Sequence, residues 1–121
     1  MDGAVVNPVD ETTDAELRPI AALCAGAVRR MTAGVLHYIH MEGLKFLVKG
    51  SARQMDALLC LNYPNGSYPT RLYLAENIGL SLNWNESPYL FARHWFTWSW
   101  KDVPRNQPPI AILAGHLEAF K

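Results

Sequence analysis

The chain has 121 residues, half of them hydrophobic, and a mass of 13.6 kDa, which suits one compact domain with a sizeable core. Eleven Lys and Arg balance eleven Asp and Glu. The only basic doublet is Arg29-Arg30, so there is no excess of positive charge to track a phosphate backbone and nucleic acid is not an expected partner. The start is acidic, and the longest stretch free of Asp, Glu, Lys and Arg, Ala57 to Thr70, is short and rich in turn residues. No membrane span is expected, and a cytoplasmic protein is. Cys24 and Cys60 form no CxxC pair, so disulfides are not expected to hold the fold, and a reducing compartment fits.

Residues 1–13 lack apolar periodicity and are expected to form a flexible leader before a single domain over 14–121, with Thr13 or Asp14 as the capping residue. Leu17, Ile20, Leu23, Cys24, Ala27, Val28 and Met31 recur at spacings of three and four, which predicts a helix stopping near Gly34. The pair Glu42-Gly43 between two β-prone runs has the composition of a tight hairpin. "QMDALLCLNY" predicts a third strand and "TRLYLAE" a fourth, with Leu72 and Leu74 opposite Arg71 and Tyr73. An irregular, aromatic-rich segment follows. The end predicts a helix after Asn106, with Ile110, Leu113, Leu117 and Phe120 on one stripe. The fold class is α+β: N-terminal helix, four-stranded antiparallel meander, irregular segment, C-terminal helix.

This order of elements resembles that of ubiquitin-conjugating enzymes, and local stretches agree. "GLKFLVKG" resembles the second strand of that fold, "DALLCLNYP" the third, and "YPNGSYPTRLYL" the link from third to fourth. The segment Arg93-His94-Trp95-Phe96-Thr97-Trp98-Ser99-Trp100 is similar to an "RxWxxWSxxW"-like segment in a prokaryotic family related to those enzymes. The resemblance covers about residues 14–121. It implies a UBC-like fold and, as partners, an activating-enzyme-like protein that adenylates a ubiquitin-like protein, that protein itself, and a processing peptidase. In bacteria this set is associated with defence against phage.

One departure from the family bears on activity. The resemblance implies a cysteine after the fourth strand, because a thiolate can take an activated carboxyl group as a thioester. Everything after Cys60 lacks cysteine. The family's oxyanion-stabilising asparagine has only Asn77 and Asn83 as loose candidates, and its double-proline flap is reduced to Tyr68-Pro69-Thr70. Cys60, inside an apolar strand, and Cys24, on an apolar stripe, read as buried spacers. A hydroxyl could replace the thiol, with Ser81, Ser87 or Ser99 attacking and His94 as base, although no spacing supports a triad. His37 and His40 fall on opposite faces of a strand, and a zinc site would need His94 or His116 as well, so no metal and no cofactor is expected.

The stretch "RHWFTWSW" reads mainly as core, with Arg93, Trp95, Trp98 and Trp100 as candidates for a binding edge. In extended form it sets Trp98 and Trp100 on one face, and Trp95, Thr97 and Ser99 on the other. The expectation is a noncatalytic binding or scaffold subunit in a bacterial ubiquitin-like conjugation pathway. Two alternatives stay open: a transferase working through an oxyester, and a structural interaction module unrelated to conjugation.

Overall fold

The computed structural model describes residues 14–121, and the expected leader over 1–13 lies outside the described residues. The chain is an α+β domain built on an antiparallel sheet. Its strands are β1 (Val28–Ala33), β2 (Leu36–Val48), β3 (Ser51–Cys60), β4 (Arg71–Leu74), β5 (Trp84–Glu86) and β8 (Phe96–Trp98), in the spatial order β1-β2-β3-β4-β8-β5. Between β5 and β8, the strands β6 (Tyr89–Leu90) and β7 (Arg93–His94) form a separate small hairpin. The helices are α1 (Arg18–Ala21) and α2 (Pro109–Leu117), the latter followed by a 3₁₀ turn over Glu118–Phe120. No helix among the described residues is long and apolar enough to cross a membrane.

An antiparallel meander is present as β1 to β4, with the third and fourth strands where the sequence suggested and the first two drawn differently. The helix expected through Met31 ends at Ala21, and Val28–Ala33 is a strand paired with Leu36 to Met41. The apolar spacing was misleading because two separate elements carry it: Ile20 of α1 and Val28 of β1 enter the first core, whereas Met31 of β1 packs on the opposite face of the sheet. Gly26 would cost a helix about 1 kcal/mol relative to Ala. Here it lets the Glu42 side chain lie where its Cβ would be.

Glu42-Gly43 is likewise no hairpin turn, since β2 runs straight through it. Both residues oppose Asp56 alone, a β-bulge. Gly43 takes φ +66° and donates its N–H to Asp56 Oδ1 at 2.9 Å, with Ala25 3.1 Å from where a Cβ would stand. The true turns are Gly34-Val35 and Lys49-Gly50. The latter has positive φ at both positions, as a type I′ hairpin requires. The segment expected to be irregular also contains sheet. Tyr73 and Leu74 of β4 pair with Thr97 and Phe96 of β8, so the meander's open edge is closed by the aromatic run.

Alternation along the central strands feeds two cores. One gathers Ile39, Met41, Leu44, Leu59, Leu72, Leu74 and Trp98 beneath α1 and α2. The other, on the opposite face, joins Tyr38, Leu58, Cys60, Tyr73 and Trp95, with Leu90 and Phe91 of the small hairpin packed on it. Helix α2 follows Asn106 as expected, with Pro108 and not Asn106 in its N-cap position. Its buried residues are Pro109, Ile112, Leu113 and His116, whereas Ile110 and Leu117 are half-buried.

His116 is a polar group on a core face, satisfied by Thr70. The Thr70 hydroxyl donates to the Val103 carbonyl at 2.9 Å, so at the second 2.9 Å contact the imidazole Nε2–H donates to it. Burial, with a smaller contribution from Arg71, lowers the His116 pKa to about 4. The folded-state value lies below the ordinary one, so the folded state binds the proton later and stability falls as pH drops below about 6.5. Urea unfolding should show about 2 kcal/mol less stability at pH 5 than at pH 7 from this group. That slope should flatten in His116→Gln, and an unchanged slope would assign the loss to other groups.

Candidate functional site

The segment after β4 is where the family resemblance locates its chemistry, and the structure gathers a polar cluster there. Continuing the β4–β8 register beyond Tyr73 and Thr97 brings Arg71 opposite Ser99. Strand β5 adds Asn85 and Glu86 from the far side. Asn85 Nδ2 donates to Ser99 Oγ at 2.8 Å, and Asn83 Nδ2 to the same oxygen at 3.3 Å. The Asn85 amide is thereby oriented with its Oδ1 toward Arg71 Nη1, at 3.4 Å. The Glu86 carboxylate lies 3.6 Å from the same guanidinium nitrogen.

The β3–β4 loop completes the cluster. Asn65 Oδ1 accepts the N–H groups of Ser67 and Tyr68 at 2.9 and 3.2 Å, the local bond by which asparagine makes a turn. Arg105 clamps the loop from outside, donating to the carbonyls of Pro69 at 3.1 Å and Tyr63 at 2.6 Å. So held, the Tyr63 ring lies 4.5 Å from the Arg71 guanidinium and that of Tyr68 at 5.9 Å, a cation–π arrangement. The Tyr63 hydroxyl donates to Glu86 Oε2 at 3.3 Å. Burial raises the Tyr63 pKa, with Arg71 opposing it. A groove of about 310 Å³ lined by Asn77, Trp84, Asn85, Glu86, Ser87 and Phe96 runs beside the cluster.

The serine candidates are not brought together with their base. Ser99 Oγ is engaged by two asparagine amides, and Ser81 and Ser87 are exposed. His94 stacks edge-on against Tyr89 at 5.0 Å, with Nδ1 3.4 Å from the Ser87 carbonyl oxygen. Among the described residues no hydrogen bond joins His94 to a serine hydroxyl. His40 lies against Trp95 on the second face and His116 on the buried side of α2, so these histidines are dispersed.

Of the binding-edge candidates, Trp95 and Trp98 are interior. Trp95 donates Nε1–H to the Leu90 carbonyl at 2.9 Å in the second core. Trp98 packs against Trp84 and Phe120 in the first, with no hydrogen-bond partner for its Nε1 among the described residues. Neither ring can meet a partner, because the strand alternation turns one to each core. Trp100 is half-buried and ties its Nε1–H to the Gly115 carbonyl at 3.0 Å. Arg93 is half-buried, 2.8 Å from Asp56 and 4.8 Å from the Trp95 ring centre. Arg71, Tyr63, Asn85 and Glu86 were missed from sequence. The available signal was Arg71 itself, a cation next to Leu72 in a strand that leads into the sheet.

Both thiols are poor nucleophiles. Cys60 is fully buried and burial raises its pKa, with Arg105 and Arg71 opposing. Cys24, half-buried and bridged to Leu44, is raised to about 11 by burial first and the Asp56 charge second. Comparison with family models, curated proteins and solved structures finds no match to this chain.

Aromatic-disulfide labelling at pH 8 should modify Cys24 roughly a hundredfold more slowly than a free thiol, in line with its small thiolate fraction. Cys60 should react only as fast as the domain opens. Rapid labelling of Cys60 under native conditions would contradict this burial.

Proposed function

We propose that this domain is a noncatalytic binding or scaffold subunit, similar to ubiquitin-conjugating enzymes, acting in the cytoplasm in a prokaryotic ubiquitin-like conjugation pathway. Its partners are an activating-enzyme-like protein and a ubiquitin-like protein, and its setting in bacteria is defence against phage. Three features support the reading: a helical turn before a four-stranded antiparallel meander, a long segment after the fourth strand, and a closing helix. The observation that carries it is chemical. The segment after β4 contains no cysteine, and its best-placed hydroxyl, Ser99, accepts two amide hydrogen bonds and faces no base. Activating a hydroxyl requires a general base within hydrogen-bond reach, so this corner is suited to holding a group and not to transferring one.

Mixing the protein with the activating enzyme, ATP and the ubiquitin-like protein should therefore give a stable complex by size exclusion and no covalent species on denaturing gels. A base-labile, reductant-resistant adduct that disappears in Ser81→Ala, Ser87→Ala or Ser99→Ala would replace the scaffold reading with an oxyester transferase. A reducible adduct lost in Cys60→Ala would restore thiol chemistry. Absence of any complex would leave a structural module unrelated to conjugation.

A further inference from the structure

Strand β2 is paired along most of the edge that faces away from β3, and a gap is left at Leu47. Pairing with β1 takes up Leu36 to Met41. Beyond the bulge the stretch before β1 takes over, with Ala25 N–H donating to the Gly43 carbonyl at 2.9 Å and Lys45 N–H to the Leu23 carbonyl at 2.8 Å. Just past the strand's end, Lys49 N–H donates to the Phe120 carbonyl at 2.8 Å. Lys45 and Lys49 thus send their N–H groups away from β3. Backbone groups alternate in direction along an antiparallel strand, so Leu47, midway between them and opposite Ala52, turns its N–H and C=O the same way. Among the described residues neither group has a hydrogen-bond partner. The Leu47 side chain is itself 62% exposed. An apolar residue at an unpaired edge is a template for another strand.

Beside the gap lies a groove of about 450 Å³ with an apolar lining that includes Leu23, Phe46, Leu117 and Phe120, and with Lys45, Lys49 and Lys121 around it. Lys121 is paired with Glu118 at 2.9 Å, and Lys49 Nζ donates to the Lys121 carbonyl at 2.6 Å. Among the described residues neither Lys45 nor Lys49 has a carboxylate partner, so the rim is positive. A second copy of the chain suits this edge poorly, because antiparallel pairing about Leu47 would set Lys45 of each copy beside Lys49 of the other, and like charges there oppose pairing. We propose that the β2 edge at Leu47 takes up an extended acidic segment of a partner protein as an added strand. One residue of the segment exchanges both backbone hydrogen bonds with Leu47. Its side chain shares a face with Leu47 and Lys45 and is acidic, whereas its two neighbours turn to the Phe46 side, into the groove, and are apolar. Main-chain bonds supply affinity in such an addition, and the alternate side chains supply selection. The inference uses no residue of the polar corner around Arg71 and is independent of the conjugation reading.

The test is an amide-resolved NMR titration of the full chain with the acetylated and amidated peptide Glu-Val-Glu-Val-Glu. The Leu47 amide proton should shift downfield and saturate, as a new hydrogen bond requires. Three control peptides should each bind at least tenfold more weakly: Lys-Val-Lys-Val-Lys, the rearranged Glu-Glu-Glu-Val-Val, and the parent with its central amide N-methylated, which cannot donate to the Leu47 carbonyl. Leu47→Pro removes the N–H at an edge position where no internal bond is lost, and should weaken binding at least tenfold. Lys45→Glu should weaken it at least fivefold. If Leu47→Pro does not fold, the N-methylated peptide and the exposed Lys45→Glu variant decide. Equal binding of the N-methylated or rearranged peptide would overturn strand addition. Equal binding of the lysine peptide, or unchanged binding by Lys45→Glu, would overturn the acidic assignment. A Leu47 shift that grows with protein concentration in the absence of peptide would give the edge to a second copy, and no saturable shift at Leu47 would overturn the site.

Discussion

Strand β4 has four residues, all of them buried, and it lies between β3 and β8 in the sheet. A strand in that position must have cover on both faces, because its side chains alternate between them. The first face receives α1, α2 and the 3₁₀ turn, through Ile20, Ile112, Leu113 and Phe120. The second receives the β6–β7 hairpin, whose Phe91 meets Tyr38 edge-on at 5.4 Å. That hairpin turns through Phe91 and Ala92 at φ 50° and 67°. Non-glycine residues in this region cost roughly 1 kcal/mol or more each. The cost is offset by the aromatic contact, by the Trp95–Leu90 hydrogen bond and by the apolar surface the hairpin covers.

The bulge and the hairpin are coupled through one side chain. Asp56 faces the bulge on β3, where its Oδ1 accepts the Gly43 N–H and its Oδ2 accepts from Arg93 on β7. A carboxylate with both oxygens engaged ties the bend in the longest strand to the element that caps the second core. Arg93 in turn lies over the Trp95 ring. Part of the aromatic stretch's polar content therefore fastens the hairpin to the sheet, and is taken up by the fold before any partner is considered.

The sequence displayed β4, whose Leu72 and Leu74 face away from Arg71 and Tyr73, and the final helix, because each pattern sits within one element. It concealed β1, whose Val28 and Met31 continue the helical spacing begun by Leu17 and Ile20, although different elements carry the two pairs. It also concealed the bulge. An acidic residue followed by glycine has the same composition in a turn and in a bulge, and what separates them here is Asp56, 13 residues further along. The aromatic stretch was legible in its alternation, with Trp95 and Trp98 on opposite faces, but not in its pairing, which depends on β4 having an open edge. The polar corner was least legible of all. Its residues come from four separate stretches, around Tyr63, Arg71, Asn85 and Ser99, which only the β3–β4–β8–β5 order brings together.

That order also explains why a cation is buried at this corner. Arg71 and Tyr73 share a face, and Tyr73 is sealed under the second core, with burial raising its pKa strongly. Two residues earlier the hairpin no longer covers the sheet, and the cover passes to the Tyr63 and Tyr68 rings of the β3–β4 loop. Aromatic rings can shield a guanidinium from water without opposing its charge, whereas an aliphatic lid would leave it desolvated and unpaired. The loop is held by Arg105, and the in-plane side of Arg71 opens toward β5, whose Asn85 and Glu86 stop short of close contact. The same packing that completes the second core thus sets a buried cation where that core ends. The Arg71 charge is thereby held beside the two rings of the β3–β4 loop and the long contacts from β5, where the strand order places it.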